Sequence, residues 1–254
     1  MKFVKYGFLT CAMFTSLSYA IGFDISVGGM EQKPSGVIQY PVPDGDVISV
    51  RDTLGLGKET RAFVRLKLEH PIPLIPNLYA QYVPMRFSGS GNINKNIRYG
   101  DRTFSVNANI SSKVELDRFD LGLYGNVFSN PLIDPEVGLN LRVINFKGSI
   151  TGQDAQTGQT VTESETATIP IPMLYAGLGI NIPKVPVSLR GEIRGISYSK
   201  AKYYDWSLEA RVKPIRPFYV AGGYRYEKLK IEEISDIYTN LTVNGLFFVV
   251  GAEF

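Results

Sequence analysis

The feature that most limits what this chain can fold into is a period-two alternation of apolar and polar residues that returns in segment after segment. From Tyr204 to Val212, Tyr204, Trp206, Leu208, Ala210 and Val212 alternate with Asp205, Ser207, Glu209 and Arg211. Val187 to Arg194 sets Val187, Leu189, Gly191 and Ile193 against Ser188, Arg190, Glu192 and Arg194. Ala62 to Glu69 sets Ala62, Val64, Leu66 and Leu68 against Phe63, Arg65, Lys67 and Glu69. Period two places such sets on opposite faces of a strand. After the N-terminus no segment approaches the roughly 18 apolar residues of a spanning helix. Composition agrees with an antiparallel all-β protein. Tyr (15) and Phe (14) far outnumber Trp (1), Gly is 25 of 254 residues, and Cys and His occur once each. A mean hydropathy of −0.02 is too low for a helical membrane protein, and 12% aromatics is too many for a disordered chain.

The first twenty residues have a different character. Lys2 and Lys5 form a positive n-region, Tyr6 to Leu17 is uncharged and mostly apolar, and Ser18-Tyr19-Ala20 is a small-x-small cleavage site. The apolar run is too short to cross a bilayer, so residues 1–20 are expected to be a secretory signal peptide and 21–254 the mature domain. Cys11 does not suit a lipoprotein site, because Thr10 precedes it where a small residue is usually needed. Cleavage removes two lysines and no acid, which turns 27 basic residues into 25 against 24 acidic ones. That balance gives no support to a nucleic-acid partner. The only cysteine leaves as well, and with it any disulfide, thiol nucleophile or cysteine metal site.

Ten strands are expected, near 22–31, 60–69, 77–89, 103–128, 135–150, 161–181, 186–199, 203–213, 217–231 and 238–254. The fourth is long enough to bend or break near Lys113. The fifth shifts phase between Val143 and Ile144, as a bulge would, and the third alternates less cleanly. Connections after the even-numbered strands are short and proline-bearing: His70 to Pro76, Asn130 to Pro135, Asn181 to Pro186 and Lys213 to Pro217. Those after the odd-numbered strands are polar and more variable, and Gln32 to Glu59 is the longest. Short turns at one end and longer loops at the other predict an all-β, up-and-down antiparallel transmembrane β-barrel of about ten strands (8–12), of the kind found in the Gram-negative outer membrane. Both chain ends then lie on the periplasmic side. A soluble barrel of lipocalin type also alternates, but it should be apolar inside and polar outside, whereas strands seven and eight gather whole charge sets on one face. In the last strand Leu246, Phe248, Val250, Ala252 and Phe254 share a face. That ending resembles the segment read by the outer-membrane assembly machinery, which makes Phe254 the expected assembly signal.

In such a barrel Arg190, Glu192, Arg194, Asp205, Glu209, Arg211, Arg225 and Glu227 point inward, four cations and four anions on neighbouring strands. A ten-stranded barrel is only slightly wider than one that side chains just fill. Paired charges there form either a salt-bridged plug or a narrow gate for a small polar solute. Tyr79 and Phe218 near the short turns, and Tyr203 and Tyr204 near the outer rim, are candidates for interfacial aromatic girdles, or else follow ordinary strand propensity. Asp44-Gly45-Asp46 in the first loop is either a weak divalent-cation candidate beside lipopolysaccharide or a solvated turn. Thr151 to Thr160 suits a hairpin tip. A hydrolase built on serine or water typically needs a histidine base at the outer rim. The one histidine, His70, falls in the first short turn, at the opposite end, where it can pack with Glu69. No cofactor and no enzymatic activity are expected.

Three stretches together carry a family resemblance: Gly22 to Gly28 (GFDISVG), Pro34 to Tyr40 (PSGVIQY) and, most specific, Leu68 to Asn77 (LEHPIPLIPN). With Leu116 to Tyr124 and the terminal Phe, the chain resembles a family of small proteobacterial outer-membrane β-barrel proteins without an assigned function. The resemblance implies fold and location and brings no catalytic or binding residues. The expected role is structural or one of surface interaction. The alternatives are a narrow solute channel and, behind it, a lipid-directed enzyme. Membrane lipid, lipopolysaccharide and the assembly machinery are the expected partners, with a small solute for the channel.

Overall fold

The computed structural model describes residues 21–254 except 73–74, 93–94, 107–108, 129 and 235. The expected signal peptide, with Cys11, lies outside the described residues. Fourteen strands follow in order: β1 (Gly22–Gln39), β2 (Ile48–Ser49), β3 (Glu59–Glu69), β4 (Asn77–Val83), β5 (Arg86–Asn92), β6 (Ile97–Tyr99), β7 (Arg102–Phe104), β8 (Asn109–Asn126), β9 (Ile133–Gln153), β10 (Thr160–Asn181), β11 (Val187–Tyr198), β12 (Ala201–Ile215), β13 (Phe218–Ile234) and β14 (Ile237–Glu253). Each wall strand pairs antiparallel with its neighbour, and β14 pairs with β1 from Asp24↔Glu253 to Gln39↔Tyr238, which closes the sheet. β4 and β5 both pair with β8 and fill one place in the wall, so the barrel has ten strand positions. Closure leaves no long edge, the condition for crossing hydrocarbon with strands.

The interruption falls in the third strand and not in the fourth. β8 runs unbroken past Lys113, which pairs with Ser88 on one side and Ser149 on the other. Residues 103 and 104, expected as the start of the fourth strand, instead belong to β7, which pairs with β6 in a hairpin of the second outer loop. Pro84 lacks an amide proton and cannot continue a ladder. Its carbonyl accepts from Gln32 Nε2 at 2.9 Å, and Met85 N donates to Asp117 Oδ1 at 3.2 Å.

The expected bulge between Val143 and Ile144 is absent. β9 keeps an unbroken register with β8 and β10 through Phe119↔Val143↔Pro170 and Arg118↔Ile144↔Ile169. What changes there is the surroundings. Below that level β9 points Val137, Leu139, Leu141 and Val143 outward, and Glu136, Asn140 and Arg142 inward. Above it the outward residues are Asn145, Lys147 and Ser149, and the inward ones Ile144, Phe146 and Ile150. β8 inverts in the same way, from Leu123, Leu121 and Phe119 outside to Glu115 and Lys113 outside, with Leu116, Val114 and Ile110 turning inside. Nine tilted residues, Pro135 to Val143, match the roughly 9–11 that span the apolar layer. The rest of the strand stands in water, where a sheet hides its apolar face inside.

The upper interior is accordingly an apolar core. Ile48, Val50, Leu54 and Leu56 of the first outer loop are buried there against Phe87, Phe104, Ile110 and Ile150. The loop reaches them because Gly89 and Gly91 leave the inner face of β5 bare. A Cβ on Gly91 would stand 1.9 Å from the carbonyl oxygen of Thr53, and one on Gly89 2.2 Å from that of Gly55.

Candidate functional site: the charged lumen

Below the apolar core the lumen is lined by charge. All eight residues expected there face inward; Arg190 is half-buried and the other seven are buried. The structure adds Arg65 and Lys67 from β3, Arg118 and Asp120 from β8, and Glu136 and Arg142 from β9. The same alternation carries these, since Asp120, Asn140 and Arg142 each fall between outward apolar residues.

Two clusters cross the interior. In the upper one Asp205 accepts from Arg142 Nη2 at 2.5 Å and from Arg225 Nε at 2.8 Å. Asp120 accepts from Arg142 Nε at 2.7 Å. Glu227 is bound by Arg118 and by the Tyr203 hydroxyl, with Arg142 Nη1 at 3.4 Å. Arg225 Nη1 also donates to Gln81 Oε1 at 3.1 Å. In the lower cluster Glu136 accepts from Lys67 at 2.9 Å, from Arg190 at 2.5 Å and from the Tyr175 hydroxyl at 2.6 Å. Glu192 accepts from Arg190 at 2.9 Å and Arg194 at 2.7 Å, and Lys67 Nζ lies 3.6 Å from it. The Arg194 guanidinium lies 4.8 Å from the Tyr79 ring centre and 5.1 Å from that of Tyr175, within cation–π range. Nearer the short-turn end, Arg65 reaches Glu209 at 2.7 Å and Arg211 reaches Asp24 at 2.9 Å.

These links join strands that are not neighbours. Arg118 on β8 and Glu227 on β13 stand five places apart around a ten-place ring, which is directly opposite. The same holds for Lys67 on β3 and Glu192 on β11. Buried charges are tolerated only when paired, and in this lumen the partner is often the far wall.

Several expectations are corrected here. Tyr79 and Tyr203 are not girdle residues; both are buried in the lumen, where Tyr79 shares its face with Asn77 and Gln81. Phe218 and Tyr204 do face outward and are exposed. Glu69 does not pair with His70 but turns inward to accept from the Tyr124 hydroxyl at 2.9 Å. The His70 ring locks its turn instead: Nδ1 accepts from Ile72 N at 3.2 Å, which leaves Nε2 to donate to the Pro76 carbonyl at 3.2 Å. Among the described residues no cluster of acids, histidines or cysteines could hold a metal. Asp46 is a latch between the first two outer loops, accepting from Lys95 Nζ at 2.6 Å and Arg98 N at 2.9 Å. Asp44 is exposed beside it. Phe254 is exposed on the outer face, and its backbone bonds Phe23 in both directions at 3.2 and 2.8 Å.

The fold is that of the outer-membrane β-barrel proteins. It is similar to the outer membrane protease OmpT from Escherichia coli, with a TM-score of 0.55 and 10% identity over 92% of this chain and 97% of that one. The translocator domain of the autotransporter NalP from Neisseria meningitidis aligns with a TM-score of 0.43 and 12% identity, over 98% of this chain and 96% of that one. An outer membrane channel from Pseudomonas putida F1 aligns with a TM-score of 0.41 and 8% identity, over 92% and 96%. No protein-family model matches the chain, and no curated protein matches it in sequence.

Two predictions rest on this geometry. Arg142 serves Asp120, Asp205 and Glu227 together, so Arg142→Ala leaves three buried carboxylates short of a donor. The expected loss is about 3–5 kcal/mol, read by denaturant unfolding of the protein in lipid vesicles. The second concerns the latch. The Arg98 amide and then the Lys95 ammonium hold the Asp46 carboxyl below its ordinary value of 3.8. Its stabilising contribution is therefore complete above that value and is lost as pH falls through the lower folded one. Tryptic cleavage after Arg51 or Lys95, following brief acid exposure, should rise across that window in the wild type. In Asp46→Asn it should be raised at neutral pH and change little with acid.

Proposed function

We propose that this protein resides in the outer membrane of a Gram-negative bacterium as a barrel closed to solutes, with a structural or surface-interaction role and no catalytic one. The observation that supports this reading is a pair of side-chain layers across the interior. Ion pairs join opposite walls through Arg118–Glu227 and Lys67–Glu192, and above them the first outer loop fills the interior with Ile48, Val50, Leu54 and Leu56. The apolar belt on the outer wall supports membrane residence, and the sequence resemblance to proteobacterial barrels of unassigned function points the same way. Against a hydrolase of the histidine-dependent kind stands the place of His70, locked into a turn at the end away from the outer loops. Phe254, exposed on the last strand, suits recognition by the assembly machinery.

A gated channel is the second reading, favoured by the mobility that charged side chains would gain if the first loop withdrew. Planar-bilayer recording of the refolded mature protein separates the two. The closed barrel should be silent and should remain silent in Glu209→Ala. It should open in a variant lacking residues 47–57 that also carries Arg211→Ala and Arg118→Ala. Discrete openings in the unaltered protein would establish the channel.

A further inference from the structure

On the outer wall of β12 and β13 an aromatic cluster lies directly beneath a lysine cluster. Trp206, the only tryptophan of the chain, stacks on Tyr226 with ring centres 5.8 Å apart at 19° and tilts against Tyr224 at 5.7 Å. The next outward residues along the two strands are Tyr204 and Lys202 on β12, and Lys228 and Lys230 on β13. The register sets Lys202 opposite Lys230 and Tyr204 opposite Lys228, so Lys228 is the diagonal neighbour of Lys202. Like charges directly opposite on paired strands destabilise a sheet. Nearby acids relieve only part of this: Glu232 pairs with Lys230, and Glu233 with Lys200 at 2.9 Å. Among the described residues no carboxylate lies within ion-pair distance of Lys202 or Lys228. Four lysines against two glutamates leave this patch positive.

Ordinary snorkelling of lysines to a membrane interface would spread them around the barrel. On the neighbouring strands the residues in register with the lysines are uncharged: Thr242 and Asn240 of β14 face Lys228 and Lys230, and Ser197 of β11 faces Lys202, while Lys33 on β1 is neutralised by Glu31 at 2.5 Å. What sets this patch apart is its clustering: Lys202 and Lys230 face each other with Lys228 beside them, whereas of the outward lysines on β8 and β9 Lys113 faces Ser149 and Lys147 faces Glu115.

We infer that this face docks a lipopolysaccharide of the outer leaflet, with its phosphates between Lys202, Lys228 and Lys230 and its sugar and upper acyl carbons against Trp206 and Tyr226. Three ammonium groups on one face supply the donors that phosphate needs, and a phosphate bridging Lys202 and Lys230 removes their repulsion. Stacked aromatics with one polar edge suit the boundary between headgroup and chain. The inference rests on the proposed outer-membrane placement and is independent of whether the lumen conducts.

The test uses the mature protein in micelles of a neutral detergent, titrated with bisphosphorylated lipid A. Trp206 fluorescence reports binding, and native mass spectrometry counts the lipids retained. A saturable change with one lipid retained is expected. Affinity should fall at least tenfold in Lys202→Gln/Lys228→Gln and should be unchanged in Lys147→Gln, on β9, three places around the ring from β12. Lipid A stripped of both phosphates should fail to bind. Equal affinity of the double variant, or of the dephosphorylated lipid, overturns the proposal. So does full competition by millimolar inorganic phosphate, which would make free phosphate the ligand. Retention of the heat-dependent gel shift of folded barrels shows that the variants fold. Should the double variant not fold, Lys228→Gln alone decides, with a severalfold loss expected and an unchanged affinity overturning the proposal. Since micelles suffice, a failure here is separate from a failure of the bilayer recording.

Discussion

Everything in this structure depends on the rule that no backbone amide or carbonyl can be left unpaired in hydrocarbon. A sheet meets that rule only by closing on itself, and the β1–β14 pairing does so along most of both strands. Closure in turn fixes two faces for every wall residue. The second constraint is length. Strands such as β9, with 21 residues, and β10, with 22, are about twice what the apolar layer requires. One strand therefore passes through two media, and the apolar side must change from outside to inside where the lipid ends. The lower half is a membrane barrel with a polar interior. The upper half behaves as a water-soluble barrel with an apolar core.

That inversion accounts for what the sequence reveals and what it conceals. Strand positions are legible because alternation of period two survives in both media, and the inward set of strands seven to nine is legible because it lies wholly within the membrane half. The step at Val143 and Ile144 is visible too, but as a pattern it is indistinguishable from a bulge. Only the unbroken pairing with Phe119 and Pro170 shows that the chain keeps its phase while its surroundings change. The inward facing of Tyr79 was concealed for a related reason: the third strand is cut by Pro84, so its alternation is too short and irregular to assign a phase.

Two parts of the candidate site lay beyond the reach of pattern. The loop residues Ile48, Val50, Leu54 and Leu56 keep an even spacing that Asp52 interrupts, and their burial depends on bare glycines at 89 and 91, far away in sequence. The pairing of charges is equally remote. Alternation places Arg118 and Glu227 inside, but their meeting depends on the number of strands in the ring and on how far each residue stands above the turns. The like-charged pair Lys202 and Lys230 is the converse case. It conflicts with local sheet preference, a conflict that Glu232 relieves in part at Lys230 and that the proposed lipid phosphate would relieve further.

The central claim is that the boundary of the lipid falls between Val143 and Asn145 and that the strand keeps its phase across it. Nitroxide labels placed singly at positions 139, 141, 143, 144, 145, 146 and 147 of the protein in bilayers measure this directly through collisions with oxygen and with a water-soluble nickel complex. Labels at 139, 141 and 143 should favour oxygen, those at 145 and 147 should favour nickel, and those at 144 and 146 should be shielded from both. Oxygen-favoured contact at 144 and 146, with 145 and 147 shielded, would show a true phase shift and would contradict the account.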